Sequence, residues 1–358
     1  VSGGTLGGLL DWRREMLEPA RNELGRIGLA ISNQVNNQHR EGMDLAGTLG
    51  GNFFNVGPVT VNDVTTNTGT ATVAVTRTNV SAIGSGDYVL ARTTTGYTLR
   101  HQETGVAVTM TGTGTVGDPF LADGMSIVVS AGAATNDQFV IRPTRDVAMG
   151  FTVAITDPTR VAAAAPIRAA ASSANTGTGS VSPGEVLNSA NAQLLTTTDI
   201  VFTSATTYSV NGGPNVTYTP GGNIDANGWR VQIGGAPAIG DTFTVRSNAG
   251  ATGDNRNALA LADTLRAGVL DGGLTSVAGA VERLTSDIGL ATRNAQVNRD
   301  AEAVVNRDDL AARDSVSGVN LDEEAANMLR FQQAYQAAAQ MISTASSLFD
   351  SLLSAIRR

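Results

Sequence analysis

Residues Ser315 to Arg358 read SVSGVNLDEEAANMLRFQQAYQAAAQMISTASSLFDSLLSAIRR. Counting in sevens from Leu321 gives Met328, Tyr335, Ile342, Phe349 and Ile356, and counting from Phe331 gives Ala338, Ala345 and Leu352, with no charge in the set. A stripe sustained over that many heptads is the pattern of a helix made to lie against another helix. Asn320 followed by Glu323 has the form of a capping box, and Asp322, Glu323 and Glu324 put negative charge at the positive end of the helix dipole. A helix from Leu321 to Ile356 is therefore expected, roughly 50 Å long at 1.5 Å per residue. An amphipathic helix packed inside its own chain would show the same periodicity.

Upstream of this helix the apolar pattern repeats and then weakens. Val277, Leu284, Ala291 and Val305 fall on one row of sevens and Val281, Ile288 and Ala295 on the next, until Asn298, Glu302 and Asp309 interrupt them. The spacing predicts a helix from Leu274 to Arg313, preceded by a shorter one over Arg256 to Arg266, with Gly318 as the break before the last. At the other end of the chain, Leu6 to His39 has Leu17, Leu24 and Ile31 a heptad apart, and Pro19 suits the first turn of the main helix.

Between these helical ends, Asn52 to Asn248 is rich in Thr, Val and Gly, with short alternating runs that read as strands. An ungapped repeat lies inside it: DGMSIVVSAGAATNDQFVIR at Asp123 to Arg142 and NGWRVQIGGAPAIGDTFTVR at Asn227 to Arg246. Each unit reads as two strands joined by a loop ending in Asn136-Asp137 or Gly240-Asp241. Tyr88 to Ala91 with Tyr97 to Arg100, and Ile200 to Thr203 with Tyr208 to Val210, are the matching upstream hairpins. The repeat favours two related β modules; a single elongated β domain is the alternative.

The fold expected is α+β and multidomain, a helical bundle drawn from both chain ends with antiparallel β-rich modules inserted. Its parts are a helical segment at 1–50, a first β module at 51–160, an Ala/Gly/Ser-rich connector at 161–190, a second, smaller β module at 191–250, return helices at 251–314 and the heptad helix at 315–358. Bundling the helices would bring both termini to one end, with the β modules projecting from the other.

Composition excludes most chemistry. The chain has 358 residues, no cysteine, two histidines and a formal charge of −8, and all 24 of its basic residues are arginine. Thiolate metal sites, lysine nucleophiles and the lysine of a phosphate loop are thereby removed. The acidic balance lacks the basic field that nucleic acid requires, and no run of apolar residues is long enough to span a membrane. Gly112, Gly114 and Gly117 match a GxGxxG pattern but lead into Asp118-Pro119 and another strand, so a hairpin loop is expected. Asn223 to Gly228 resembles half of a calcium loop, but Gly234 stands where the bidentate glutamate belongs. His39 ends a polar helix and is expected as a cap or at the surface; His101 lies in the β region, and no GxSxG elbow accompanies either. Catalytic residues, cofactors and metal ligands are all expected to be absent.

The wording of the C-terminal stretch adds a family. SGVNLDEEAANMLRFQQAYQAAAQMISTASSLFDSLL resembles the C-terminal signature of flagellar axial proteins, and DEEAAN with FQQAYQAAAQ is most similar to the hook-associated protein 1, or FlgK, family. GGTLGGLLDWRREMLEPARNELGRIGLAISNQVNNQH near the start, and TDPTRVAAAAP from Thr156, resemble the same family; the likeness is weakest in the Thr/Gly-rich middle. The family's N-terminal helical region has no counterpart before Val1, so the chain reads as a piece lacking it.

The resemblance implies a non-enzymatic structural component of the bacterial flagellum, an adaptor between hook and filament that polymerises through terminal helices. It implies an extracellular place reached through flagellar type III export without a cleaved signal. Its partners would be other copies in a helical polymer, the hook protein, the second junction protein of the hook–filament boundary, and an export chaperone on the C-terminal helix. The residues expected to carry these contacts are Leu321, Met328, Phe331, Tyr335, Ile342, Phe349, Leu352 and Ile356. A hook or distal rod protein of the same axial family is one alternative. A surface protein whose β modules bind glycans through Trp229, Tyr208 and Tyr218 is another.

Overall fold

The computed structural model describes residues 4–318 and 320–356, so the outermost residues of the 1–50 and 315–358 segments, and Val319, lie outside the described residues. The chain falls into two compact units, 1–288 and 289–358.

The first unit opens with helix α1 (Gly4–Trp12), which runs through one π-helical turn, Arg13–Leu17, into α2 (Glu18–Arg40). Pro19 explains the widened turn, because it has no N–H to donate and its ring crowds the carbonyl one turn back. Pro19 thus sits in the first α-helical turn of α2, as its spacing suggests, yet the chain is already helical before it. Ile27 and Ala30 of α2 pack against Leu270 and Ala280, while Leu29 packs against Ile83 and Val147. The opening helix therefore meets residues that return from far along the chain.

Of these, Ala280 belongs to the first turns of α4 (Val277–Ser317) and Leu270 to the segment between α3 (Arg256–Thr264) and α4. Between the two helices the structure inserts a small hairpin, Gly268–Leu270 with Thr275–Ser276, where helix from Leu274 was expected. Gly272 and Gly273 take φ of 72° and 93° there, a left-handed turn that ends any helical course. Buried Arg26 of α2 clamps the hairpin, pairing with Glu23 at 2.8 Å and Asp271 at 2.6 Å, and Arg283 of α4 completes the network with Glu23 at 3.2 Å.

The β region forms two modules with the same strand order. In the first, a five-stranded antiparallel sheet runs Thr60–Asp63, Gln138–Arg142, Tyr88–Arg92, Tyr97–His101, Ala107–Val108, beside a three-stranded sheet of Val73–Arg77, Met125–Val129 and Phe120–Ala122. In the second, the five strands are Ile167–Ala171, Thr242–Ser247, Thr198–Ser204, Thr207–Val210 and Val216–Thr217. Trp229–Gly234 organises the facing sheet with Ser180–Val181, Glu185–Val186 and Asn223–Ala226. The repeat seen in sequence aligns strand for strand: buried Met125, Ile127, Phe139 and Ile141 in one core answer to buried Trp229, Val231, Phe243 and Val245 in the other. Asp123 and Asn227 both take positive φ in the matching turns.

Three expectations are corrected. Residues 161–190 are more than a connector, since Ile167–Ala171 is the edge strand paired along its length with Thr242–Ser247. Its alanines disguised it, because only alternate residues of an edge strand need to be apolar and Ala supplies little strand signal. His39 is fully buried, its Nδ1 2.9 Å from the Gly51 carbonyl and its Nε2 accepting the Ala162 backbone N–H at 2.8 Å. The glycan reading loses its platform, because Trp229 and Tyr208 are buried in the second core and the Tyr218 hydroxyl donates to the Ile233 carbonyl.

Candidate assembly interface

The final helix, α5, spans Leu321–Ile356. Its start is fixed locally: the Asn320 side chain accepts the Asp322 backbone N–H at 3.0 Å and the Asn320 carbonyl takes the Glu324 N–H at 2.9 Å. Asp322, Glu323 and Glu324 fill the first turn, where they complement the dipole.

All eight residues expected to carry contacts fall on this one helix, and each is between 60% and 80% exposed. The structure thus brings them onto one face without covering them, and α5 contributes no buried residue at all. The apolar face is broader than the two rows counted from Leu321 and Phe331. Met341 and Leu348, themselves seven apart, and Leu329 and Leu353 are also large, apolar and exposed. The Met341–Leu348 spacing was visible in the sequence and marks a third row, so the face is wider than a two-stranded seam requires.

The remaining surface is also suited to burial. Between Arg330 and Asp350 the helix has no charged residue. Several of its hydroxyls bond back to their own helix, Thr344 to the Gln340 carbonyl at 2.9 Å, Ser347 to the Ser343 carbonyl at 3.0 Å and Ser351 to the Ser347 carbonyl at 2.8 Å. Hydroxyls satisfied in this way need no water, so dry contact costs them little. Fully burying a large apolar side chain contributes about 1.5–3 kcal/mol, so covering even half of the eight would supply several kcal/mol towards association.

Among the described residues no group of histidine and carboxylate side chains could hold a metal ion, and no helix is long and apolar enough to cross a membrane. The GxGxxG stretch is a loop bridged by Thr111 and Leu121, and the Asn223–Gly228 stretch is a hairpin whose Asp225 is taken by Arg230 at 2.7 Å. The apparent motifs are turns.

Comparison with known proteins matches three parts of the chain. Residues 1–54 fit the flagellar hook-associated protein FlgK helical domain, residues 62–143 the flagellar hook-associated protein 1 D2-like domain, and residues 313–355 the C-terminal domain of the flagellar basal body rod FlgEFG proteins. Flagellar hook-associated protein 1 of Escherichia coli K12 is 27% identical over 99% of this chain and 49% of its own length. Its counterpart in Salmonella typhimurium LT2 is 28% identical over 99% of this chain and 50% of its own. The chain spans about half the length of these relatives. The structure of the flagellar hook junction protein FlgK from Burkholderia pseudomallei superposes with a TM-score of 0.78 at 30% identity, covering 88% of this chain and 63% of that one. By its helical start, its β module and a fold that follows a solved member through most of its length, the chain belongs to the FlgK family of flagellar hook-associated proteins.

Proposed function

We propose that this protein is a structural adaptor at the hook–filament junction of the bacterial flagellum, polymerising through its terminal helices and catalysing no reaction. The observation that carries this is the uncovered apolar face of α5 on a chain whose fold follows a hook junction protein. Its neighbours would be copies of itself, the hook protein on one side and the second junction protein on the other, all outside the cell after export without signal cleavage. In the cytosol the same face of α5 would be covered by an export chaperone, in the helix-in-groove mode that suits an amphipathic helix.

The rod or hook reading has one observation in its favour, the match of 313–355 to rod proteins. That match covers the helix axial proteins share, whereas 1–54 and 62–143 match hook-associated domains. Immunogold electron microscopy of intact flagella separates the two readings. Label confined to the hook–filament boundary is expected; label along the hook or within the rod would overturn the junction assignment.

A further inference from the structure

Arg168 of the edge strand Ile167–Ala171 stands directly opposite Arg246 of Thr242–Ser247, and both side chains are exposed on the outer face of the second module. Like charges placed opposite one another in a sheet oppose its pairing. Neither guanidinium has a hydrogen bond or ion pair among the described residues. The carboxylates on adjoining elements are committed elsewhere: Asp199 takes the Thr244 hydroxyl at 2.7 Å, and Asp254 takes Arg256 at 2.7 Å and Asn248 at 2.6 Å.

The first module shows that this arrangement is not dictated by the fold. There Thr60 stands opposite Arg142, and Arg142 donates to Asn62 at 2.9 Å and lies 3.5 Å from the Asp87 carboxylate. The same sheet position is thus partnered within the chain in one copy of the module and doubled and unpartnered in the other.

We propose that the Arg168–Arg246 pair is a contact between copies of this chain and receives surface carboxylates of a neighbouring copy. With 32 acidic against 24 basic residues, copies repel one another on average, so an unpaired cationic spot is where an acidic surface can approach. Two guanidinium forks side by side offer paired N–H donors to a carboxylate, and such contacts fix orientation more than they add affinity. The inference rests on the polymer reading only in requiring that copies meet.

The absence of lysine makes a clean test possible, since every basic residue is arginine. R168K and R246K each place a single side-chain amine on the outer face. A water-soluble carbodiimide converts a carboxylate into an O-acylisourea, and an amine in contact displaces the urea to leave an isopeptide bond; the parent chain controls for the α-amine. At high protein concentration, both variants should give inter-copy products several-fold above the parent, with linked peptides containing position 168 or 246, and added salt should suppress them. Coupling no greater than the parent, or only within one copy, would overturn the proposal. Electron microscopy of the unsubstituted chain separates the two readings. Polymers without coupling sink the arginine contact alone, coupling without polymers sinks the polymer reading alone, and neither sinks both.

Discussion

The His39 imidazole and the Ala162 backbone are joined across the fold, Nε2 accepting the amide N–H at 2.8 Å in a fully buried setting. Because Nε2 accepts, the ring proton sits on Nδ1 and points to the Gly51 carbonyl at 2.9 Å. One side chain at the end of α2 therefore ties together the loop leading into the first β module and the segment leading into the second. The ring also meets Phe53 edge-on at 5.5 Å.

His39→Ala should remove both bonds and leave a buried N–H without a partner. An unsatisfied buried donor costs about 1–3 kcal/mol and the lost ring adds a cavity, so a loss of about 3 kcal/mol is expected in urea unfolding. A change within experimental error would show that the clasp is not needed to hold these segments.

Two glycines on the same helical run should respond in opposite directions to alanine. At Gly25 a Cβ would lie 1.8 Å from the Thr144 carbonyl oxygen, so α2 could no longer lie against the loop at the base of the first module. Overpacking of this kind costs about 1–3 kcal/mol or more. At Gly8 nothing lies within 4 Å and the residue is exposed in α1, so alanine should raise stability by up to about 1 kcal/mol through helix propensity. Thermal melts of Gly25→Ala and Gly8→Ala check the pair, and equal effects would contradict the close approach.

Sequence periodicity revealed what depends on period and left out what depends on contact. The α5 stripe, the Tyr88 and Tyr97 hairpin and the repeat at Asp123 and Asn227 were legible because each is a pattern along the chain. The strand Ile167–Ala171 was not, because its identity comes from Thr242–Ser247 beside it. His39 was misread for a related reason. Its polar neighbours suggested water, while the partners that bury it come from Gly51 and Ala162, which no helical spacing brings near. The third apolar row on α5 was legible in the Met341–Leu348 spacing.

Asp137 and Asp241 occupy matching places in the two modules and do the same work. Asp137 accepts backbone N–H groups of Thr68, Ala134 and Gly69, and Asp241 those of Ala238, Thr176 and Gly177. Those donors hold both carboxyls below the ordinary aspartate range, Thr68 contributing most to the first and Ala238 to the second. A depressed folded pKa means stability present above the unfolded value, about 3.9, and lost as pH falls through the folded one. Asp87 acts in the opposite sense: burial, opposed by Arg145, raises its pKa, so its share is present at low pH and lost as pH rises through the raised value. Asp137→Asn and Asp241→Asn should each lower the melting temperature at pH 7, with the gap to the parent narrowing below about pH 4. A gap independent of pH would argue that the carboxylate charge is immaterial.

Ile342 lies at the middle of the exposed face of α5, 70% exposed and flanked by the charge-free stretch between Arg330 and Asp350. At that exposure Ile342→Asp should shift the unfolding of the β modules by no more than about 0.5 kcal/mol, the ordinary effect of a surface change. The same charge would have to be desolvated without a partner wherever another helix covers the face, which is strongly unfavourable. The variant should therefore fold, by circular dichroism, yet fail to bind a chaperone or to enter a polymer. Hydrogen exchange adds an independent reading: amides of α5 should exchange quickly in the monomer and slowly once it assembles. Strong protection of α5 in the monomer, or normal assembly of Ile342→Asp, would show that this face is not where the copies meet.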